Sequence, residues 1–280
     1  MQTVVITGGT DGLGGGLAAH YLRRGARVVA VGSTPAKGQA LLRQAAALSA
    51  ADRAVFLRAD LTSVTAAREL VTAIRSTCPS VDKLVLCAQR YRLFGPRAVT
   101  PEGFEHSFAL AYLSRYILSH GLREAMESAP RPVIMNVGIP GTPLGRIHWD
   151  DPQLTRRYSG TRATLQSFRA NDLLGVAFAA LYADTPIRYV GYHPGVVSTG
   201  MPDHLPPPVR ALTKASFALI ATSVTKAVTP MARLLDDPPG ERFTAYRTTR
   251  RLPLKVPAFD REAALRLHRL TDELVSRRRP

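Results

Sequence analysis

The feature that most constrains this chain is a strand-like run, Thr3-Val4-Val5-Ile6, that passes directly into Thr7-Gly8-Gly9-Thr10-Asp11-Gly12-Leu13-Gly14 and then into a helical pattern. Glycines at a strand-to-helix turn let the backbone approach a pyrophosphate, which then rests on the amides of the helix N-terminus. Any tight turn accepts glycine. This cluster gains meaning from its place, after a strand, at the opening of a helix and at the start of an alternating chain.

That alternation predicts the fold class. Short runs rich in Val, Ile and Leu read as strands at 2–7, 27–32, 54–58, 82–87, 132–137, 187–192 and 243–246. Helical patterns lie between them at about 12–24, 36–49, 63–77, 102–127 and 161–183. Near-continuous apolar strands separated by helices predict an α/β fold with a parallel sheet covered on both faces. Right-handed crossovers make it a doubly wound sheet, with ligands in the crevice beyond the strand carboxyl ends. The 280 residues read as a single nucleotide-binding Rossmann-type domain, 1–280. The segment 199–222, which contains Pro206-Pro207-Pro208, breaks the alternation and is expected to be a lid or substrate loop.

Composition excludes several other classes. A hydrophobic fraction of 45% with 21% charged residues is that of a chain with a sizeable core, not of a disordered tail or a fibre. Cys78 and Cys87 offer neither a disulfide framework nor a zinc spacing, so the expectation is a reducing, cytoplasmic setting and no metal. No run reaches the roughly twenty apolar residues of a membrane span, and no charged leader precedes the first strand. The charge is less ordinary, 37 basic against 21 acidic residues, for a net +16. Residues 241–280 hold eleven basic side chains against five acids, so +6 of the +16 lies there. Nucleic acid, anionic lipid and phosphorylated ligands all become conceivable. No groove-reading helix, aromatic-interleaved basic strand or zinc module accompanies the charge. A solvated arginine-rich surface and tail is therefore the favoured reading, and nucleic acid is not expected as a partner.

The Gly-x-x-x-Gly-x-Gly spacing resembles that of the short-chain dehydrogenase/reductase family, and further motifs extend the resemblance over nearly the whole chain. Glu102-Gly103-Phe104-Glu105, Gly145-Arg146-Ile147-His148 and Ser167-x-x-Ala170-Asn171 are similar to its retinol-dehydrogenase-like branch. The resemblance implies NAD or NADP as cofactor, held at the turn by Gly8, Thr10, Asp11, Gly12, Leu13 and Gly14. It places Asp60 and Leu61 at the adenine ring and Ala88 after the fourth strand. Pro194, Gly195, Val197 and Thr199 fall at the nicotinamide carboxamide. Ser33 and Thr34 stand where an acid would select NAD or an arginine NADP. Asp11 lies where NADP users often carry a base, and Lys37 is a candidate to compensate. Where relatives keep Asn-Asn-Ala-Gly, this chain has Leu86-Cys87-Ala88-Gln89, so Gln89 replaces a glycine that leaves room for the ribose. Family members commonly pair through the two long helices, which implies a homo-oligomer.

The family's chemistry rests on a Tyr whose phenol is acidified by a Lys four residues later, with a Ser that positions the carbonyl and an Asn that completes a proton relay. Counting between the flanking matches, the Asn position falls on Ala111, the Ser on Ile139, the Tyr on Thr164 and the Lys on Phe168. Three of these have no titratable group, and a threonine hydroxyl without an activating base is too weak an acid. Ile139, Phe168 and Ala111 would instead line a drier pocket beside the nicotinamide position. Substitute groups are few. Tyr158 with Arg162 mimics the Tyr-x-x-x-Lys spacing, with loop packing as the alternative. His148 near Asp150 offers a general base or a plain surface loop. Arg115 shares a helix face with Ala111, and either meets an anionic group or is solvated. The resulting reading is a non-redox or atypical enzyme, of isomerase, cyclase or dehydratase type, acting on a hydrophobic small molecule with nucleotide retained. The alternatives are a catalytically dead ligand sensor or partner subunit, and a residual NAD(P)-dependent oxidoreductase.

Overall fold

The computed structural model describes residues 1–90, 92–197 and 223–276. The segment expected to form a lid, 199–222, lies outside the described residues. Seven parallel strands, β1 (Thr3–Thr7), β2 (Arg27–Gly32), β3 (Ala54–Arg58), β4 (Lys83–Leu86), β5 (Val133–Val137), β6 (Arg188–His193) and β7 (Phe243–Arg247), pair in the order 3-2-1-4-5-6-7. A two-residue strand, β8 (Arg250–Arg251), closes the edge antiparallel to β7. The strand order reverses between β1 and β4, which opens a crevice at their carboxyl ends.

The central strands β1, β2, β4, β5 and β6 are short, apolar and buried on both faces, so their residues divide between two cores. Val4 and Ile6 of β1, with Val28 and Ala30 of β2, face Leu17, Leu22 and Leu41 from α1 (Gly12–Arg23) and α2 (Pro35–Ala47). Val5, Val29, Leu84 and Ile134 alternate to the other face. There they meet Leu70 and Ile74 of α3 (Val64–Thr77) and Leu173 and Phe178 of α7 (Gly160–Leu181). The long helix expected at 102–127 is broken. It starts at α4 (His106–Phe108), loosens into a π turn over Ala109–Leu113, then continues as α5 (Ser114–Gly121) and α6 (Arg123–Glu127).

Two further helices were not expected. The helix α8 (Val224–Asp236) packs Val228, Met231 and Leu235 beside α1. Its carboxyl end is held by Lys83, buried at 2% exposure, which donates to the Leu235 carbonyl and pairs with Asp236 at 3.1 Å. The helix α9 (Arg261–Ser276) corrects the reading of 241–280 as a solvated tail, because it buries Ala264, Leu267, Thr271 and Val275. It lies across α5 and α7. Tyr112 meets Thr271 Oγ1 at 2.7 Å, Tyr116 meets His268 Nδ1 at 3.1 Å, and Arg68 donates to the Val275 carbonyl at 2.6 Å. Pairing of two copies through those helices would have to displace or include α9.

Candidate active site

The crevice at the β1–β4 boundary is shaped for close backbone approach. A Cβ on Gly8, at φ +66°, would come within 3.1 Å of the Ala88 backbone, and one on Gly14 within 2.3 Å of the Gly8 carbonyl oxygen. Only glycine fits either place. The Thr10 side chain packs over Gly32, and the Ala88 amide donates to Thr7 Oγ1 at 3.2 Å, tying the loops after β1, β2 and β4 together. Asp11 caps α1 by accepting from the Gly12 amide at 2.6 Å, and Lys37 of α2 donates to the same carboxylate. That bond from Lys37 is the main reason the Asp11 carboxyl lies below its ordinary range. Lys37 thus pairs with Asp11. Leu13 is half-buried, and Ser33 and Thr34 are exposed at the end of β2. Asp60, exposed after β3, accepts from the Thr62 amide and hydroxyl at 3.0 and 2.8 Å, whereas the Leu61 side chain belongs to the core.

These features fit the adenine and pyrophosphate half of a dinucleotide: a glycine cradle that a Cβ would fill, a helix N-terminus behind it, and exposed polar side chains at the β2 and β3 ends. After β6, Pro194 precedes Gly195, whose φ is +78° and whose amide donates to His193 Nδ1 at 2.7 Å; Val197 is buried. Thr199 lies outside the described residues.

Where the resemblance places the nicotinamide half, the structure has a buried hydrogen-bond network. Arg115, only 2% exposed, donates to Asn136 Oδ1, to the Val137 carbonyl at 2.7 Å, to the Ala88 carbonyl at 3.0 Å and to Gln89 Oε1 at 3.1 Å. It is therefore not the solvated arginine weighed from the sequence. Its guanidinium joins the open ends of β4 and β5 through these acceptors. Asn136 Nδ2 donates to Asn171 Oδ1 and to the Tyr189 hydroxyl, both at 2.9 Å. Asn171 Nδ2 in turn donates to the carbonyls of Ala111 at 2.7 Å and Ser167 at 2.8 Å. The Ala111 carbonyl lies in the π turn, and the Asn171 side chain reaches it there. Asn136 carried no sequence signal beyond its place at the end of a strand.

Ile139 and Phe168 do line a common cavity, but Ala111 is not among its lining residues, and polar side chains share its walls. Its volume of about 10 Å³ is that of one water, and its other walls include Arg115, Asn136, Asn171 and Asp172. Asp172, 3% exposed and one turn beyond Phe168 on α7, faces the Gly141 amide at 3.1 and 3.2 Å. Burial pushes its carboxyl up to about 8. Sequence reasoning missed it, since an acid in a long amphipathic helix reads as solvated. Thr164 is buried, and its hydroxyl has no hydrogen-bond partner among the described residues.

The other candidates separate. Tyr158 donates to Glu105 Oε1 at 3.3 Å, and burial with that neighbouring carboxylate raises its pKa, the wrong direction for an activated phenol. Arg162 turns away to the Arg157 carbonyl and to His148 at 3.3 Å. Tyr158 and Arg162 do not act as a pair. His148 loses proton affinity through burial and then through Arg162 and Arg146, and no bond joins it to the exposed Asp150. It is a half-buried loop residue facing cations.

Comparison with known proteins agrees with this architecture. The family model for short chain dehydrogenases matches residues 2–208. A protein of Streptomyces sp. (strain C5), which carries the provisional name daunorubicin C-13 ketoreductase, is 31% identical over 95% of this chain and 90% of its own length. Human retinol dehydrogenase 14 is 29% identical over 80% of this chain and 70% of its own. Among solved structures, a metagenomic short-chain oxidoreductase in complex with NADP superposes with a TM-score of 0.63 at 20% identity, covering 89% of this chain and 98% of that one. The last likeness is one of fold. On the family model and the Streptomyces relative together, the chain belongs to the short chain dehydrogenase family.

Proposed function

We propose that this chain is an atypical enzyme of the short-chain dehydrogenase fold, which holds an NAD(P) nucleotide at its glycine turn and converts a hydrophobic small molecule without the family's usual proton-transfer set. The reaction types that suit it are isomerisation, cyclisation or dehydration. The observation that carries the reading is the makeup of four positions, Ala111, Ile139, Thr164 and Phe168, none of which supplies a phenol or an ammonium. The buried network supports it, because Asn171 fills the Ala111 carbonyl and Arg115 fills the ends of β4 and β5, where a relay of waters would need free partners. A bound nicotinamide would supply a hydride donor or acceptor. This chain's own residues would bind, orient and exclude water, with Gln89 narrowing the space beside the ribose.

A second reading, hydride transfer to a ketone, is favoured by the ketoreductase name of the Streptomyces relative. Orientation alone can supply several kcal/mol of barrier lowering, so hydride transfer with water as the proton source is physically sound. Incubation with each nicotinamide nucleotide and a panel of polycyclic and isoprenoid ketones, alcohols and enones separates the two. Product seen by mass spectrometry with no change in nicotinamide absorbance supports the non-redox reading. Nucleotide consumption stoichiometric with product overturns it.

A further inference from the structure

The loops at the carboxyl edge of the sheet carry a composition that no catalytic role requires. Residues 89–99, after β4, contain Arg90, Arg92 and Arg97 and no acid. Residues 141–162, after β5, contain Arg146, Arg156, Arg157 and Arg162 against Asp150 and Asp151. Seven cations against two acids give +5 of the net +16 in these two loops. They form one surface, since Arg97 Nε donates to the Gln153 carbonyl at 3.1 Å and Thr161 Oγ1 reaches the Leu93 carbonyl at 3.5 Å.

Several acids beside these loops are spent on backbone amides. Glu102 accepts from the Val64 and Thr65 amides, Glu105 from the Phe108 amide, and Asp151 from the Thr155 and Arg156 amides. Asp150 is exposed, as are Arg90, Arg146, Arg156 and Arg157. Bulky apolar side chains stand on the same edge. Phe94 is 60% exposed at a Phe-Gly-Pro turn and Leu144 is 62% exposed at a Pro-Leu-Gly turn, with Val99 and Val196 also exposed. Phe94 and Leu144 thus stand in water at the loop tips of an edge that carries a net positive charge.

We propose that this edge docks on an anionic lipid bilayer, with Phe94 and Leu144 entering the interface and Arg90, Arg146 and Arg157 on lipid phosphates. Charge complementarity selects an anionic partner. The apolar groups select a bilayer over an acidic protein, because single side chains at separate turns need matching pockets on a protein but only a soft interface on a membrane. The candidate site opens at the same edge, so a hydrophobic molecule could pass from the bilayer to the crevice. No helix of the described residues is long and apolar enough to span a membrane, so the contact is peripheral.

The test is flotation of the full chain with vesicles of phosphatidylcholine alone and of phosphatidylcholine mixed with phosphatidylglycerol. The expected result is flotation with the anionic vesicles only, weakened by salt. Removing three rim charges together (Arg90→Gln, Arg146→Gln and Arg157→Gln) is expected to weaken partitioning on the order of a hundredfold, from roughly fivefold per arginine. Phe94→Ser with Leu144→Ser is expected to leave a weaker binding that salt abolishes completely. All five side chains are on the surface, so the variants should melt with the wild type. The control removes Arg23, Arg43 and Arg75, toward the far ends of α1, α2 and α3. If that control weakens binding as much as the rim variants, net charge alone explains it and the proposal fails. It fails equally if the wild type ignores anionic vesicles, or if soluble polyglutamate competes it off them.

Discussion

Asn171 donates its side-chain amide to the Ala111 carbonyl at 2.7 Å, joining α7 to the one place where the helix opposite loosens into a π turn. The same amide bonds the Ser167 carbonyl, and its oxygen accepts from Asn136. The contact closes a chain that runs from Gln89 through Arg115, Asn136 and Asn171 to Ala111. Asn171→Leu would take this donor from two carbonyls and leave Asn136 short of an acceptor, at a cost of about 1–3 kcal/mol. Chemical denaturation should show that loss with an unchanged m value. No measurable loss would mean that the network contributes nothing to folding.

Asp172 should give the protein an unusual pH dependence. Its buried carboxyl lies at about 8, far above the ordinary 3.8 that it recovers on unfolding. Between those values the folded protein holds a proton that the unfolded chain has released, so stability falls as pH rises from about 4 to about 8. Asp172→Asn keeps an acceptor for the Gly141 amide and removes the titration. The variant should be the more stable form at pH 8 and above, by on the order of a few kcal/mol, with the advantage shrinking toward pH 4. Thermal melts across that range check it, and a wild type no less stable at pH 8 would show that the carboxyl ionises freely.

The fold was legible because seven strands announced themselves as short β-branched runs and the glycine turn fixed where the sheet begins. The helix α9 was hidden by its charge. Arginines at Arg261, Arg266 and Arg269 dominate the composition, while Ala264, Leu267, Thr271 and Val275 form the buried stripe at helical spacing that was there to be found. The site was less legible, for a different reason. Arg115 reads as solvated unless one knows that the ends of β4 and β5 converge on it with bare carbonyls, which is a property of tertiary geometry. Asp172 has no local signature at all. Its state depends on burial, which outweighs the opposing bond from the Gly141 amide, thirty-one residues away along the chain.

Acid should expose a second buried titration. His120, packed between Tyr116, Phe178 and His268, is pulled down to about 3 by burial, then by His268 and Arg123. On unfolding it recovers an ordinary value near 6.5 and binds a proton, so stability is lost as pH falls from 6.5 toward 3. His120→Asn leaves a polar partner for Tyr182, which His120 Nδ1 meets at 2.9 Å. The variant should lose less stability than the wild type between pH 6.5 and pH 4, whatever its stability at neutral pH. Parallel acid limbs would show that His120 already takes up a proton in the folded state.

The pairing of Lys37 with Asp11 bears on which nucleotide the crevice prefers. Ser33 and Thr34 at the end of β2 bring no carboxylate to a ribose diol, and this pair is one source of charge beside them. As a pair it is close to neutral, and it should discriminate weakly between a 2′-hydroxyl and a 2′-phosphate. Asp11→Ser keeps a cap for α1 and releases Lys37 toward a phosphate. An exposed charge a few ångströms away is worth about 1 kcal/mol in water, so NADPH should gain about fivefold over NADH. Lys37→Ala leaves the carboxylate alone and should shift the ratio the other way by a similar factor. Calorimetric titration of both nucleotides into the three proteins reads the ratio directly. Equal ratios in all three would place the 2′ position away from this pair.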